Sequence, residues 1–493
     1  VDGFAPRRRK FGKAGKTRVR QPEAPGGMMN GTKARADDAA NTGSGPEQPA
    51  QDSTKASEVT GKVGNYRWFI IALGFLITLI NYLDRSALSY TRKAMEVEFG
   101  INDAQFGYIG SAFAISYMVM TTVGGIMVDK WGAHKVWPIA AILWSAVTAM
   151  MGLASGFWIL FAFRLFLGVT EGPHFPALTR AVADWLPTNE RARATAIGLA
   201  AVPFASVLGG PLITTLILSL GWKGMFVVLG ALGIVWAVVW VYAFRDYPES
   251  CTFVSNAELN HIREGKSHDR EIKDSDRRSH HLATGKTTYK FMLLNPSLMS
   301  NNIAFFAFGY LLFFAIYWLP GYFEKSYGMH LKEVGWFVVA PWLTAAILLA
   351  SAGFISDWLL KKTGSARLSR SHMIWVCQLI SALCFIPLMF TQDLNTAMLS
   401  ISLGIGIGLM PNACFYALNT DLAKDRAATS LGIMDSFFAL GGILAPALTG
   451  QILQATGSFS AAIGVVIFFN LAAVIGVILF QKPDRDMEAA KGS

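Results

Sequence analysis

Asp84 and Arg85 stand side by side inside an otherwise apolar run, WFIIALGFLITLINYLDRSALSY. On a water-facing surface such a pair costs little. In a membrane-spanning helix each charge near the bilayer centre costs ~2.5–3.5 kcal/mol on insertion scales. A span that keeps both is expected to turn them toward a polar cavity. The same oddity recurs at Arg164 and Glu171, in FAFRLFLGVTEG, and at Asp435, in GIMDSFF. Desolvation favours the neutral form of a carboxyl, so Asp84, Glu171 and Asp435 are candidates to carry a proton. Arg85 stays charged at any accessible pH and can hold a carboxylate through two N–H donors. Acids that take up protons beside arginines that hold anions describe an ion-coupled carrier.

Helical geometry limits which of these groups can meet. Asp84 lies 16 residues after Trp68, and Arg164 seven residues into a span running the other way. The two are expected at comparable depth and able to pair. Glu171 sits one heptad beyond Arg164, on much the same face and about 10 Å away. A proton relay of Asp84 and Glu171, gated by Arg85 and Arg164, is the working expectation; a purely structural ion network is the alternative. Tyr82 is three residues from Arg85 and can share its face. His174, three residues after Glu171, either couples to it or packs as a satisfied buried histidine. Asn412, Tyr416 and Asn419 are the polar candidates of the second half. Phe305, Phe306, Phe308, Tyr310, Tyr317 and Trp318 crowd one later span with rings, either packing or forming a wall that suits a ring-bearing acid.

The elements that must position these residues follow from composition. The chain has 493 residues, 53% hydrophobic and 15% charged, with a mean hydropathy of +0.38. Soluble domains carry about 25% charged residues. Twelve apolar runs fall near 68–90, 104–127, 136–155, 157–182, 192–219, 223–245, 297–322, 332–358, 372–390, 395–419, 429–453 and 458–480. Each can form a helix across a ~30 Å hydrocarbon core. Uniform apolar runs demand helices, because strands of a membrane barrel would alternate. Residues 190–211, ERARATAIGLAAVPFASVLGGP, are echoed by residues 425–446, DRAATSLGIMDSFFALGGILAP. The predicted fold is therefore an all-α integral membrane protein, twelve transmembrane helices in two six-helix pseudo-repeats with the ligand between them. The bundles are placed at 65–245 and 297–481, a polar linker at 246–296, and tails at 1–64 and 482–493.

Charge sets the expected orientation. The net +10 sits in short connections, which marks topology and excludes nucleic-acid binding. Lys130, His134, Lys135, Arg191, Arg193, Lys361, Lys362, Arg367, Arg370, Lys424 and Arg426 share one side; Arg92, Lys93, Lys223, Lys325 and Lys332 share the other. The first side, with both termini, is expected in the cytoplasm. Residues 1–64 are basic, then polar, with no apolar signal core. Residues 1–27 read as a tag or an over-extended start ahead of Met28 and Met29. The four cysteines lack metal-ligand spacing. No phosphate loop or nucleophile motif is present either, so no cofactor and no enzymatic activity are expected.

GGIMVDKWGAHK, at 124–135, matches the pattern G-x-x-x-D-[KR]-x-G-x-x-[KR] through Gly125, Asp129, Lys130, Gly132 and Lys135. This resembles the signature loop of the major facilitator superfamily, where its role is to gate the cytoplasmic face. GGIMVDKWG is itself echoed by AGFISDWLLKKTG at 352–364. NYLDR at 81–85, RLFLGVTEGPHFPA at 164–177, WLPTNERARATAIG at 185–198 and YWLPGYF at 317–323 resemble the anion:cation symporter family within it, across roughly residues 66–480. The resemblance implies import of a small organic anion, such as a galactonate, glucarate or hexuronate, by proton symport with alternating access. Sodium is the less favoured ion. It places Tyr82 and Tyr117 at the substrate beside Arg85 and Arg164, with packing the alternative for the two tyrosines; a monomer in a bacterial inner membrane is expected. Two positions depart from the family: Asp435 stands where members tend to have Asn, and Val202 where they tend to have Gln. Exchange or uniport of a similar anion is the alternative function, and a non-transporting receptor on a carrier fold the alternative of another class.

Overall fold

The computed structural model describes residues 63–263, 289–423 and 427–489. Most of the expected N-terminal tail (1–62), the middle of the linker (264–288), Lys424, Arg426 and residues 490–493 lie outside the described residues. Every described regular element is a helix. The first half holds α1 (Tyr66–Ala87), α2 (Asp103–Trp131), α3 (Ala133–Met151), α4 (Phe157–Glu171), α5 (His174–Trp185) and α6 (Thr188–Ala243). The second holds α7 (Pro296–Tyr327), α8 (Val339–Thr363), α9 (His372–Phe385), α10 (Leu394–Leu409), α11 (Asn412–Ala423), α12 (Ala427–Thr456) and α13 (Phe459–Phe480).

Local chemistry sets the helix ends. Asn102 accepts from the backbone N–H of Gln105 at 2.8 Å while the Gln105 amide oxygen accepts from the Asn102 N–H at 3.1 Å, a reciprocal cap that starts α2. Asn295 and Asp393 cap α7 and α10 by the same kind of bond. Gly221 breaks α6 with φ 72° and ψ 165°, a left-handed turn favouring glycine, and folds it into two antiparallel arms. Prolines break the fourth span of each half. Pro173 separates α4 from α5, and Pro411 separates α10 from α11.

Nine described helical stretches are long and apolar enough to cross a membrane, one of them the whole of α6. Counting its arms separately, and adding α3 and the broken α4–α5, gives twelve passes. The 19 residues of α3 extend about 28 Å, enough for the hydrocarbon core. The chain is thus a multi-pass membrane protein with two six-pass halves. The expected runs 157–182 and 395–419 each carry an internal proline break, which hydropathy does not record.

The halves meet along α2 with α12, and along the first arm of α6 with α8. A Cβ on Gly107 would stand 3.1 Å from the Pro446 carbonyl carbon, so α2 and α12 touch backbone to backbone. The Ser111 hydroxyl donates to the Ile443 carbonyl at 2.6 Å, and the Gln451 amide donates to the Tyr108 hydroxyl at 2.8 Å. Charges close the same end. Arg92 reaches Asp103 at 2.9 Å and Glu324 at 3.4 Å, while Lys325 reaches Asp103 at 3.1 Å. At the opposite end, Asp129 pairs with Arg180 and Asp357 with Arg370, each within its own half. Residues 246–263 are not free linker. Glu258 accepts from the backbone N–H groups of Tyr66 and Arg67 at 3.3 and 2.9 Å, and Arg67 also binds Glu190 at 2.7 Å.

Candidate functional site

Three helices of the first half bring the charges together. α4 presses close on α2 at Gly168, where a Cβ would stand 2.9 Å from the Tyr117 backbone nitrogen. That approach aligns Arg164 and Glu171, on either side of Gly168, with Phe113 and Tyr117. From α1, the Arg85 Nε donates to the Glu171 Oε2 at 2.8 Å, with side-chain exposures of 4% and 0%. Three ring faces surround the same guanidinium, with Tyr82, Phe113 and Tyr117 centroids at 4.7, 4.8 and 4.6 Å. Cation–π attraction is strongest where water is excluded, so the three rings add to the hold of Glu171 on Arg85.

Arg164 is fully buried and crosses the halves: its Nη2 donates to the Tyr317 hydroxyl of α7. It also lies 5.1 Å from the Phe113 centroid. Its Nε and Nη1 have no hydrogen-bond partner. The expected Asp84–Arg164 pair is not formed. Both Asp84 carboxylate oxygens lack a hydrogen bond, although Thr148, Arg164, Arg85 and Glu171 all lie within its electrostatic reach. Neighbouring residues on a helix point about 100° apart, and of the two it is Arg85 that bonds to Glu171. Asn81, one turn before Arg85, is wholly buried with both polar atoms unpaired and Glu171 in reach. Phe113 and Thr148 had no distinguishing sequence signal, whereas Asn81 belongs to the NYLDR run.

His174 is not joined to Glu171. Its Nδ1 accepts from the Trp137 indole N–H at 3.2 Å, which leaves the proton on Nε2 facing the Thr78 hydroxyl at 3.1 Å. That hydroxyl donates onward to the Gly74 carbonyl at 2.8 Å. The imidazole is a satisfied neutral packing group among Trp137 and Trp144.

In the second half the Tyr416 hydroxyl donates to Asp435 Oδ1 at 3.2 Å, and both residues are exposed. Tyr82 and Tyr117 of the first half lie within electrostatic reach of Tyr416. Asn419 is fully buried with both amide atoms unpaired, and Asn412 is half-buried at the start of α11. No bond joins either of them to the charges of the first half. At the loop, Gly124 rather than Gly125 makes the tight contact, where a Cβ would stand 2.7 Å from the Pro173 Cα. Asp129 is 80% exposed, 3.7 Å from Arg180, and Lys130 and Lys135 are exposed. Gly132, with φ 83°, abuts Asp246, whose carboxylate accepts from the His134 N–H at 2.8 Å and caps α3. Asp246 was not singled out in the sequence, because it lies more than a hundred residues from the loop it fastens.

The profile described as "Major Facilitator Superfamily" matches residues 74–446. The chain belongs to the major facilitator superfamily. It is a transporter by family and not an enzyme. A probable galactarate/D-glucarate transporter of Bacillus subtilis is 33% identical over 438 residues, covering 86% of this chain and 93% of that protein. A probable sulfoacetate transporter of Cupriavidus necator is 30% identical over 393 residues, with 80% and 89% covered. A D-galactonate transporter of Escherichia coli is 28% identical, with 85% and 96% covered. Among solved structures, a bacterial homologue of the human lysosomal transporter Spinster superposes with a TM-score of 0.68 at 18% identity, covering 88% of this chain and all of that one. A D-xylose-proton symporter gives 0.66 at 14% identity, with 86% and 99% covered. These two establish the major facilitator fold.

Proposed function

We propose that this carrier imports a small organic anion by proton symport, alternating access between its two halves. The observation that carries the reading is the buried Arg85–Glu171 pair at 2.8 Å in its cage of three rings. While Glu171 is ionised it occupies Arg85. A proton on Glu171 releases that guanidinium for an anionic cargo, so cargo and proton enter together and the site's net charge is conserved. Arg164, with two unbonded nitrogens, is the second anion contact, and Asp84 is the second proton carrier. Tyr82 and Tyr117 wall the site, and Tyr416 faces them from the other half.

Bonds between the halves cluster at the Arg92–Asp103 end, which supports a state closed there and open at the Asp129 end. Basic loops support a cytoplasmic open end, and the same reading takes the protein as a monomer in a bacterial inner membrane. Three of the relatives support an anionic cargo by name: a probable galactarate/D-glucarate transporter, a probable sulfoacetate transporter and a D-galactonate transporter. The test is uptake of labelled sugar acids and aromatic acids into proteoliposomes, with and without an inside-alkaline pH gradient. Uptake of one acid driven by the gradient, and lost in Glu171→Gln, is expected. Gradient-independent exchange that survives Glu171→Gln would overturn the proton coupling and leave an anion exchanger.

A further inference from the structure

We infer that the closed end of the second half carries a regulatory site for a neutral polyhydroxyl compound, a single sugar ring or a short polyol, seated behind the last turns of α7. A cavity of about 220 Å³ opens there, apart from the Arg85 cage. Its walls come from three places. Tyr322, Ser326 and Tyr327 stand at the end of α7, residues 388–392 follow α9, and residues 458–460 start α13. Among the described residues, no Lys, Arg, His, Asp or Glu lines the cavity, so an ionic ligand would lose water there without gaining a counter-charge. The lining is instead rich in hydroxyls, with the Gln392 amide beside them. The Tyr322 and Tyr327 hydroxyls lie 3.4 Å apart, and the Ser458 hydroxyl donates to the Ser460 hydroxyl at 3.2 Å. A hydroxyl has one donor and two acceptor sites, so these pairs keep capacity for a ligand. Among the described residues nothing bonds the Ser326 hydroxyl or the Gln392 side chain. Tyr322 and Phe459, both buried, set their rings 5.4 Å apart and give the cavity its apolar part. A sugar ring has the matching surface, hydroxyls around its rim and C–H groups on its faces, and tyrosine suits such a surface. The volume lies below the ~300 Å³ where pockets for drug-sized ligands begin, which limits the ligand to about one ring.

The YWLPGYF run at 317–323 ties this cavity to the closed end. Pro320 stands inside α7 and cannot donate a backbone bond to the preceding turn, so the turns beyond it are held less firmly to the rest of the helix. Gly321 follows, where a Cβ would stand 3.2 Å from the Arg92 Nε of the first half. On these same turns Glu324 reaches Arg92 at 3.4 Å and Lys325 reaches Asp103 at 3.1 Å. At about 100° per residue, Tyr322 and Ser326 share one helix face and Glu324 lies on the opposite one. One side of the segment therefore holds the first half, while the other walls the cavity. A ligand that joins this segment to residues 388–392 and 458–460 favours the closed arrangement in which the cavity exists. Occupancy then slows opening at this end.

The test uses the full-length carrier in phospholipid nanodiscs prepared without sugar-based detergent, so that no detergent headgroup competes. D-galactose and myo-inositol are the probes, and saturation-transfer NMR reads their binding. Ser326→Trp, at an exposed position on the rim, fills the cavity; Gln392→Ala removes a hydrogen-bonding group; thermal unfolding checks that both fold. At least one probe is expected to bind wild type, with transfer cut at least fivefold in Ser326→Trp and at least twofold in Gln392→Ala. Hydrogen exchange of the backbone amides in residues 321–327 should slow at least threefold at saturating probe. Binding of neither probe, or undiminished transfer in a folded Ser326→Trp, would overturn the site. Binding without slower exchange would overturn its hold on α7. Either failure leaves the anion-carrier reading standing, because no residue of the Arg85 cage lines this cavity.

Discussion

The charged cluster at the closed end yields a prediction whose size can be worked from the structure. Arg92 is 9% exposed and bridges Asp103 of its own half and Glu324 of the other. At the 3.4 Å separation of Arg92 and Glu324, the Coulomb attraction at an effective dielectric of 20 is about 5 kcal/mol. Desolvation and ordering offset most of it. A charged hydrogen bond contributes ~1.5–3 kcal/mol net, and one at a partly open edge less. Glu324→Gln is therefore expected to weaken closure by roughly 1–2 kcal/mol, a shift of roughly 5–30-fold toward the state open at this end. The Arg92–Asp103 bond within the first half stays intact. Spin labels at Val97, which is 78% exposed, and Lys332, also exposed, sit on opposite halves. Pulsed dipolar spectroscopy should show a longer-distance population growing in Glu324→Gln. Because Arg92→Gln removes the same cross-half bond, the double variant should add little to either single one. An unchanged distance distribution, or fully additive effects of the two substitutions, would refute the claim that this bond holds the end shut.

Three further outcomes are expected. Glu171→Ala strands the Arg85 charge among its three rings and should cost about 3–5 kcal/mol of stability, as breaking one side of a buried pair does; thermal unfolding in detergent should show Arg85→Gln with Glu171→Ala less damaging than the sum. Tyr317→Phe leaves another Arg164 donor unpaired, a cost of about 1–3 kcal/mol, and a bound anion should raise its melting temperature more than that of wild type. The Thr396 hydroxyl and backbone N–H, at 2.7 and 2.8 Å, hold the Asp393 carboxyl below the usual carboxylate range. Its contribution to stability is complete above about pH 4 and lost as the pH falls through the lowered value. Asp393→Ala should therefore melt below wild type at pH 6 and converge with it in strong acid.

The sequence by itself determined the membrane passes, the halving of the chain and the residues that stand out. Apolar length, the 190–211 and 425–446 echo, and charges inside spans are local properties that need no partner to be visible. Helical periodicity also placed Tyr82 with Arg85, and Arg164 with Glu171, because positions three, four or seven apart share a face whatever the helix packs against. Which charge met which was decided only in three dimensions. The pairing of Arg85 with Glu171, rather than Asp84 with Arg164, depends on the roll of α1 and on the approach of α4 to α2 at Gly168. Tyr317 reaches Arg164, and Glu324 reaches Arg92, only because the second half docks on the first; those partners are 153 and 232 residues apart. His174 resolved into packing once Trp137 and Thr78 filled both its ring nitrogens. Proline breaks in the fourth spans, and Asp246 under the 124–135 loop, were equally silent in hydropathy. Burial makes each such polar group take a partner, but the crossing of distant helices decides which one is within reach.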